Sequence, residues 1–90
     1  MIRTNDDVEP CLSVVMPVYN EAATVARVVE CVLAQRPVLQ LIAVDDGSVD
    51  GTWSVLEKWA AMDKRVCLVR HPRNFGKGMA LRTGFARATA

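Results

Sequence analysis

The stretch Leu41-Ile42-Ala43-Val44-Asp45-Asp46-Gly47-Ser48-Val49-Asp50-Gly51-Thr52 decides the fold. An apolar run ends abruptly in two adjacent carboxylates, then in Gly47 and Ser48, and then in a residue that can cap a helix. A short continuous apolar run of this kind fits a strand covered on both faces, the habit of parallel sheets. In an open parallel sheet ligands sit in the crevice outside the carboxyl ends of the strands, so this strand delivers acceptors to that crevice. Uncompensated carboxylates are costly to bury, and such a pair is either solvated or bound to hydrogen-bond donors. Asp46 and Asp50 equally suit turn and cap roles, for which Asp is favoured. The turn alone does not choose between structure and site.

Working outward, the residues on either side alternate between strand and helix patterns. Leu12 to Val18 is mostly apolar and β-branched, and Pro17 near its end predicts that pairing stops there, because proline cannot donate to a ladder. Tyr19-Asn20-Glu21 follows, with Asn20 expected as a helix N-cap and Glu21 in the first turn, where the dipole favours an anion. Val25, Val28, Val29, Val32 and Leu33 then recur on one helical stripe. Arg36-Pro37 ends that helix, and the next strand is Leu39 to Val44. A second helix spans about Gly51 to Met62, with Trp53 and Trp59 expected to pack on the core. Val66 to Val69 reads as a third strand. It leads through the basic loop Arg70-His71-Pro72-Arg73-Asn74-Phe75-Gly76-Lys77-Gly78 into a helix from Gly78 to Ala88. There Ala80, Gly84 and Ala88 form a small-residue stripe suited to close approach to the sheet, while Leu81 and Phe85 supply bulk.

This β-α-β-α-β-α order implies a three-stranded parallel sheet with right-handed crossovers and flanking helices. Three loops, at Tyr19-Asn20-Glu21, at Asp45-Asp46-Gly47-Ser48 and from Asn74 to Gly78, therefore share one sheet edge. The chain has 90 residues, 51% of them hydrophobic, and a formal net charge of +1. That is room for one α/β domain, and domains usually run roughly 100 to 200 residues. The composition excludes a disordered chain and offers no basic excess for nucleic acid. Apolar runs fall far short of the roughly 20 residues of a membrane span. Residues 1–11 read as a loose polar lead-in without a secretory signal, which predicts a cytoplasmic protein. Cys11, Cys31 and Cys67 lack metal-type spacing and read as reduced thiols, with Cys31 and Cys67 packed in apolar patterns.

Acidic acceptors, an aromatic ring and a basic loop opening a helix together suit a nucleotide. Carboxylates accept from base and ribose donors, and Lys77 adds charge to a helix N-terminus that attracts phosphate. The better-known phosphate motifs are absent. Lys77 is followed by Gly78 with no upstream glycine at Walker spacing, and Gly76 and Gly78 follow the third strand with Leu81 where a dinucleotide fingerprint needs its last glycine. Val49-Asp50-Gly51-Thr52 is similar to the D-x-D-G-T of haloacid-dehalogenase-type phosphatases, but Ser48 stands where the nucleophilic Asp should be.

Three ordered motifs carry a family likeness. Val15-Met16-Pro17-Val18-Tyr19-Asn20-Glu21, Val44 through Thr52, and Asn74-Phe75-Gly76-Lys77-Gly78-Met79-Ala80-Leu81-Arg82-Thr83-Gly84 resemble the start of a family 2 inverting glycosyltransferase with the Rossmann-like GT-A fold. The nearest subgroup is the polyprenyl-phosphate, dolichyl-phosphate-mannose-synthase-like sugar transferases. The resemblance implies a partial nucleotide-sugar-binding domain over residues 12–90 and a UDP- or GDP-sugar donor. It places Pro17, Tyr19 and Glu21 at the nucleoside, Val44 beside it, Asp46 as acceptor from base or ribose, and Lys77 near the phosphates, with Asp45 buttressing the turn.

Members of that family carry a metal-binding D-x-D after a fourth strand and a later carboxylate base, and neither occurs after Gly84 here. The expectation is an N-terminal fragment with no catalytic residue and no metal of its own, inactive alone, with Mg2+ or Mn2+ serving the complete enzyme. In the family the fourth strand borders the first, in the order 3-2-1-4. Without it, Leu12 to Val18 is an open edge, which predicts a homodimer or aggregation through that edge. The alternative is a non-catalytic nucleotide-binding or self-associating module.

Overall fold

The middle of the sheet is β2 (Val38–Asp45), flanked by β1 (Leu12–Val18) and β3 (Val66–Arg70) in a computed structural model that describes residues 11–88. Both pairings are parallel and the order is β1-β2-β3. Helices α1 (Val25–Leu33), α2 (Thr52–Met62) and α3 (Lys77–Arg87) complete the predicted alternation. Residues 1–10 of the expected lead-in lie outside the described residues, and Cys11 is exposed.

β2 is buried from Leu41 to Asp45 because both of its faces are covered. Side chains alternate across a strand, so Leu41 and Ala43 join a core under α1 and α2 with Val18, Val25, Val29, Leu33, Leu56 and Val66. Ile42 and Val44 face the other way, onto Ala80 of α3, with Val15, Cys67 and Val69 around them. Trp53 and Trp59 pack partly buried against the first core, as expected. The small stripe of α3 also behaves as predicted. A Cβ on Gly84 would lie 2.2 Å from Val15 Cγ1, so only glycine lets the helix sit this close to β1.

Several local expectations fail, each for a geometric reason. Pro17 does not end pairing: it lies opposite Val44, and Val18 lies opposite Asp45. The Val18 carbonyl accepts from Asp46 N at 2.8 Å, so Val18 faces β2 and the missing Pro17 N–H falls on the other side, where it costs the ladder nothing. Cys31 is exposed, two residues and about 200° beyond Val29, and therefore off the buried stripe. Val28 is 41% exposed at the stripe's margin, and Phe85 is 64% exposed because Ala80 and Gly84 take the face toward the sheet.

Candidate functional site

The acidic turn after β2 holds the other two loops in place. On one side it binds the loop between β1 and α1 through short side chains. Asn20 N donates to Ser48 Oγ at 2.8 Å, Glu21 N to Thr52 Oγ1 at 2.9 Å and Ala22 N to Asp50 Oδ2 at 3.2 Å. In return, Val49 N donates to Asn20 Oδ1 at 2.9 Å. Asn20 therefore is not the predicted N-cap. It turns the chain at φ +49°, a conformation that Asn tolerates better than most residues, and α1 starts at Val25 behind Thr24. Glu21 precedes the helix, and its carbonyl accepts from Thr24 N and Val25 N. Asp50, one residue before the α2 N-cap Gly51, holds the first helical residue. Its Oδ1 accepts from Thr52 N at 2.9 Å and from the Thr52 hydroxyl, and these hydrogen bonds hold its carboxyl below the ordinary range.

On the other side, Asp46 binds the loop between β3 and α3. Its Oδ1 accepts from Phe75 N at 2.9 Å and from His71 Nδ1 at 2.8 Å, and its Oδ2 accepts from Gly76 N at 2.9 Å. Burial alone pushes the Asp46 carboxyl up. The His71 hydrogen bond, the two amides and the imidazole charge outweigh it and hold the group below the ordinary carboxylate range. The second ring nitrogen of His71, Nε2, lies 2.9 Å from Thr83 Oγ1, which ties the pair to α3. Gly47 allows the two loops to touch. It sits at φ +79°, and a Cβ there would fall 2.3 Å from the Arg73 carbonyl carbon.

Between these loops lies a cavity of about 320 Å3, lined by Pro17, Tyr19, Glu21, Asp46, Asn74 and Lys77 with Val18, Gly76 and Ala80. Five of the six sequence-predicted residues are brought together there. Val44 is not: it is fully buried in the core beneath α3. Lys77 is the first residue of α3, so the cavity also meets that helix's N-terminal amides. A second hollow of about 580 Å3 opens beside Gly47, Ser48, Val49, Arg70, His71 and Pro72, away from the predicted residues.

Residues 13–90 match the family model described as glycosyl transferase family 2. The chain belongs to that family. This family 2 chain is 35% identical over 81 residues to the putative teichuronic acid biosynthesis glycosyltransferase TuaG of Bacillus subtilis, covering 89% of itself and 32% of the relative. It is 37% identical over 82 residues to the undecaprenyl-phosphate 4-deoxy-4-formamido-L-arabinose transferase of Proteus mirabilis, covering 86% of itself and 25% of that protein. Among solved structures, the mannosyltransferase PcManGT of Pyrobaculum calidifontis, in complex with GDP-Man and Mn2+, superimposes with a TM-score of 0.81 at 28% identity. That match covers 98% of this chain and 27% of the mannosyltransferase. The α/β half-sheet is thus the GT-A-like fold expected from the sequence, and the chain spans only about a quarter to a third of these proteins' lengths.

The Mn2+ of that neighbour has no counterpart in the residues described here. Among them, no group of three or more His, Cys, Asp and Glu side chains could hold a metal. The acidic pair does not fit one either, because three of the four acceptor sites of Asp46 are taken by N–H donors. Asp45 buttresses the turn as expected, its Oδ1 accepting from Ser48 N at 2.8 Å, and its buried Oδ2 lacks a partner among the described residues. A single buried oxygen makes no divalent site. No helix among the described residues is long and apolar enough to cross a membrane.

Sequence reading missed His71 as a participant. Its only signal was a lone histidine directly after a strand that ends at the edge where the three loops meet, and its partners Asp46 and Thr83 lie 25 and 12 residues away. It also missed that Ser48, Asp50 and Thr52 serve the neighbouring loop as much as their own turn.

Proposed function

We propose that the cavity between the three loops binds the nucleoside diphosphate end of a UDP- or GDP-sugar. The chain then supplies the donor-binding part of a transferase that moves a sugar to a polyprenyl phosphate or another acceptor. The observation that supports this most is the shared lining: one aromatic, two carboxylates and one lysine at a helix N-terminus, drawn from three loops of a family 2 chain. Tyr19 offers a ring face, Glu21 and Asp46 accept from base and ribose, and Lys77 with the α3 amides neutralises phosphate. Residues 12–90 act as one nucleotide-binding unit on the cytoplasmic side.

Inverting transfer needs a base to deprotonate the attacking hydroxyl and a cation to stabilise the departing diphosphate. The chain's own residues bind and orient the donor, and on this reading it does not turn over by itself. Mg2+ or Mn2+ and the base belong to the complete enzyme. Calorimetric titration of UDP and GDP tests the binding. Saturable heat at micromolar to millimolar ligand is expected, and its absence at millimolar concentration of both would sink the reading. The open side of β1, which pairs only with β2 among the described residues, favours self-association as a second reading. A monomer in light scattering at high concentration would remove it.

A further inference from the structure

Asp46 is a carboxylate with most of its accepting capacity spent. An ionised carboxylate has about four lone-pair sites, two on each oxygen. Oδ1 takes His71 Nδ1–H and Phe75 N–H, which fill it. Among the described residues, Oδ2 takes Gly76 N–H alone. One acceptor site remains, and Asp46 lines the cavity.

The Oδ1 saturation is built in. His71 is 8% exposed, and its ring is fixed from three directions: by Asp46, by Thr83 Oγ1 at Nε2, and by the Phe75 ring edge-on with centroids 5.2 Å apart. An ionised Asp46 is acceptor-only, so Nδ1 carries a proton and donates whatever the state of Nε2. The Phe75 and Gly76 amides are backbone donors on the loop that enters α3, and they do not turn away.

The two candidate bases differ in the donors they aim at a carboxylate. Guanine presents N1–H and its 2-amino group side by side, a pair that matches both oxygens of a free carboxylate. Uracil presents one ring N–H, N3–H, between two carbonyls. A carboxylate with one full oxygen pairs uracil's single ring donor and leaves one guanine donor on that edge desolvated without a partner. A buried donor left unpaired is the kind of mismatch by which sites reject a ligand.

We propose that His71 sets the base selectivity of this cavity: by filling Oδ1 it makes Asp46 a single-acceptor carboxylate, which selects a uracil nucleotide over a guanine nucleotide. The proposal rests on the nucleotide reading above and names the donor class within it as a UDP-sugar. His71 acts as a positioning residue, through Asp46 and without touching the base.

The test is competitive calorimetry of UDP and GDP on the 90-residue chain and on two variants whose folding is checked by circular dichroism. The wild-type chain is expected to bind UDP at least about 10-fold more tightly than GDP, a ratio worth about 1.4 kcal/mol. His71→Ala reopens Oδ1, so GDP is expected to gain on UDP and the ratio to fall several-fold. His71→Asn returns an N–H near the Nδ1 position, so the ratio is expected to recover. A purely structural histidine would weaken both nucleotides equally and leave the ratio unmoved, which would overturn the proposal. GDP binding as tightly as UDP to the wild-type chain would overturn it alone, with the nucleotide reading intact. Binding of neither would overturn both. The wild-type comparison decides even where His71→Ala does not fold.

Discussion

The two sides of the acidic turn hold their loops by different physics. Toward α1, the chain is held by short side chains, Ser48, Asp50 and Thr52, each taking one backbone amide at a partly solvated boundary. Toward α3, one buried carboxylate gathers two amides and an imidazole. Several exchangeable hydrogen bonds make a graded hold, because each one lost to water is partly replaced. A single buried ion makes an all-or-none hold, because removing it strands every donor it served. The turn that reads as one acidic motif is thus a distributed clamp on one side and a single ionic one on the other.

The sharpest way to break the comparison is Asp46→Ala. It strands the Phe75 and Gly76 amides and leaves His71 without its acceptor, and it is expected to cost about 3–5 kcal/mol in chemical denaturation. The same clamp carries a pH signature. The folded pKa of Asp46 lies below its unfolded value, so its stabilisation is complete above the unfolded pKa of about 3.9. It is lost as the pH falls through the lower, folded value. In acid titrations Asp46→Asn is expected to flatten that part of the stability profile. A profile identical to the wild type would show that the ionic clamp does not exist. Asp50 is also held low, but it is exposed, and solvent screening leaves its removal with the smaller acid effect.

The distributed clamp should break more gently. Thr52 is fully buried and its hydroxyl accepts from Glu21 N, so the near-isosteric Thr52→Val leaves that amide unpaired. The expected cost is about 1–3 kcal/mol, read from the denaturation midpoint at unchanged slope. A loss as large as that of Asp46→Ala would erase the distinction between the two sides.

How much of this was legible in the sequence follows the same division. The alternation of strands and helices, the parallel sheet and the edge where three loops meet are carried by local apolar periodicity. β2 appears one residue longer at each end than read, and α2 starts at Thr52 where Gly51 was expected. The small stripe of α3 was readable because glycine and alanine at four-residue spacing have one packing consequence. Asn20 was misread because the residue suits both a helix cap and a positive φ, and only its contact with Val49 on another loop decides between them. His71 stayed hidden because its chemistry is made wholly of long-range partners. Local pattern places residues at the edge where the loops meet, but it does not say how much of a carboxylate there is spent on the protein itself.

The smallest expected effect separates the ionic clamp from the helix it borders. Gly78 lies in the first turn of α3, and a Cβ there meets nothing within 4 Å. Gly47, by contrast, has backbone in the way. Gly78→Ala narrows the unfolded ensemble at no cost in contacts and is expected to stabilise the chain by about 0.4–1 kcal/mol, measured as a rise in Tm. If Asp46 holds the loop at Phe75 and Gly76 independently of how readily α3 starts, the gain is the same at about pH 7 and at a pH below the folded pKa of Asp46, because the added methyl touches no ionisable group. A gain that disappears in acid would mean that the loop is held jointly by the carboxylate and the helix start. The α3 side would then be a distributed clamp as well.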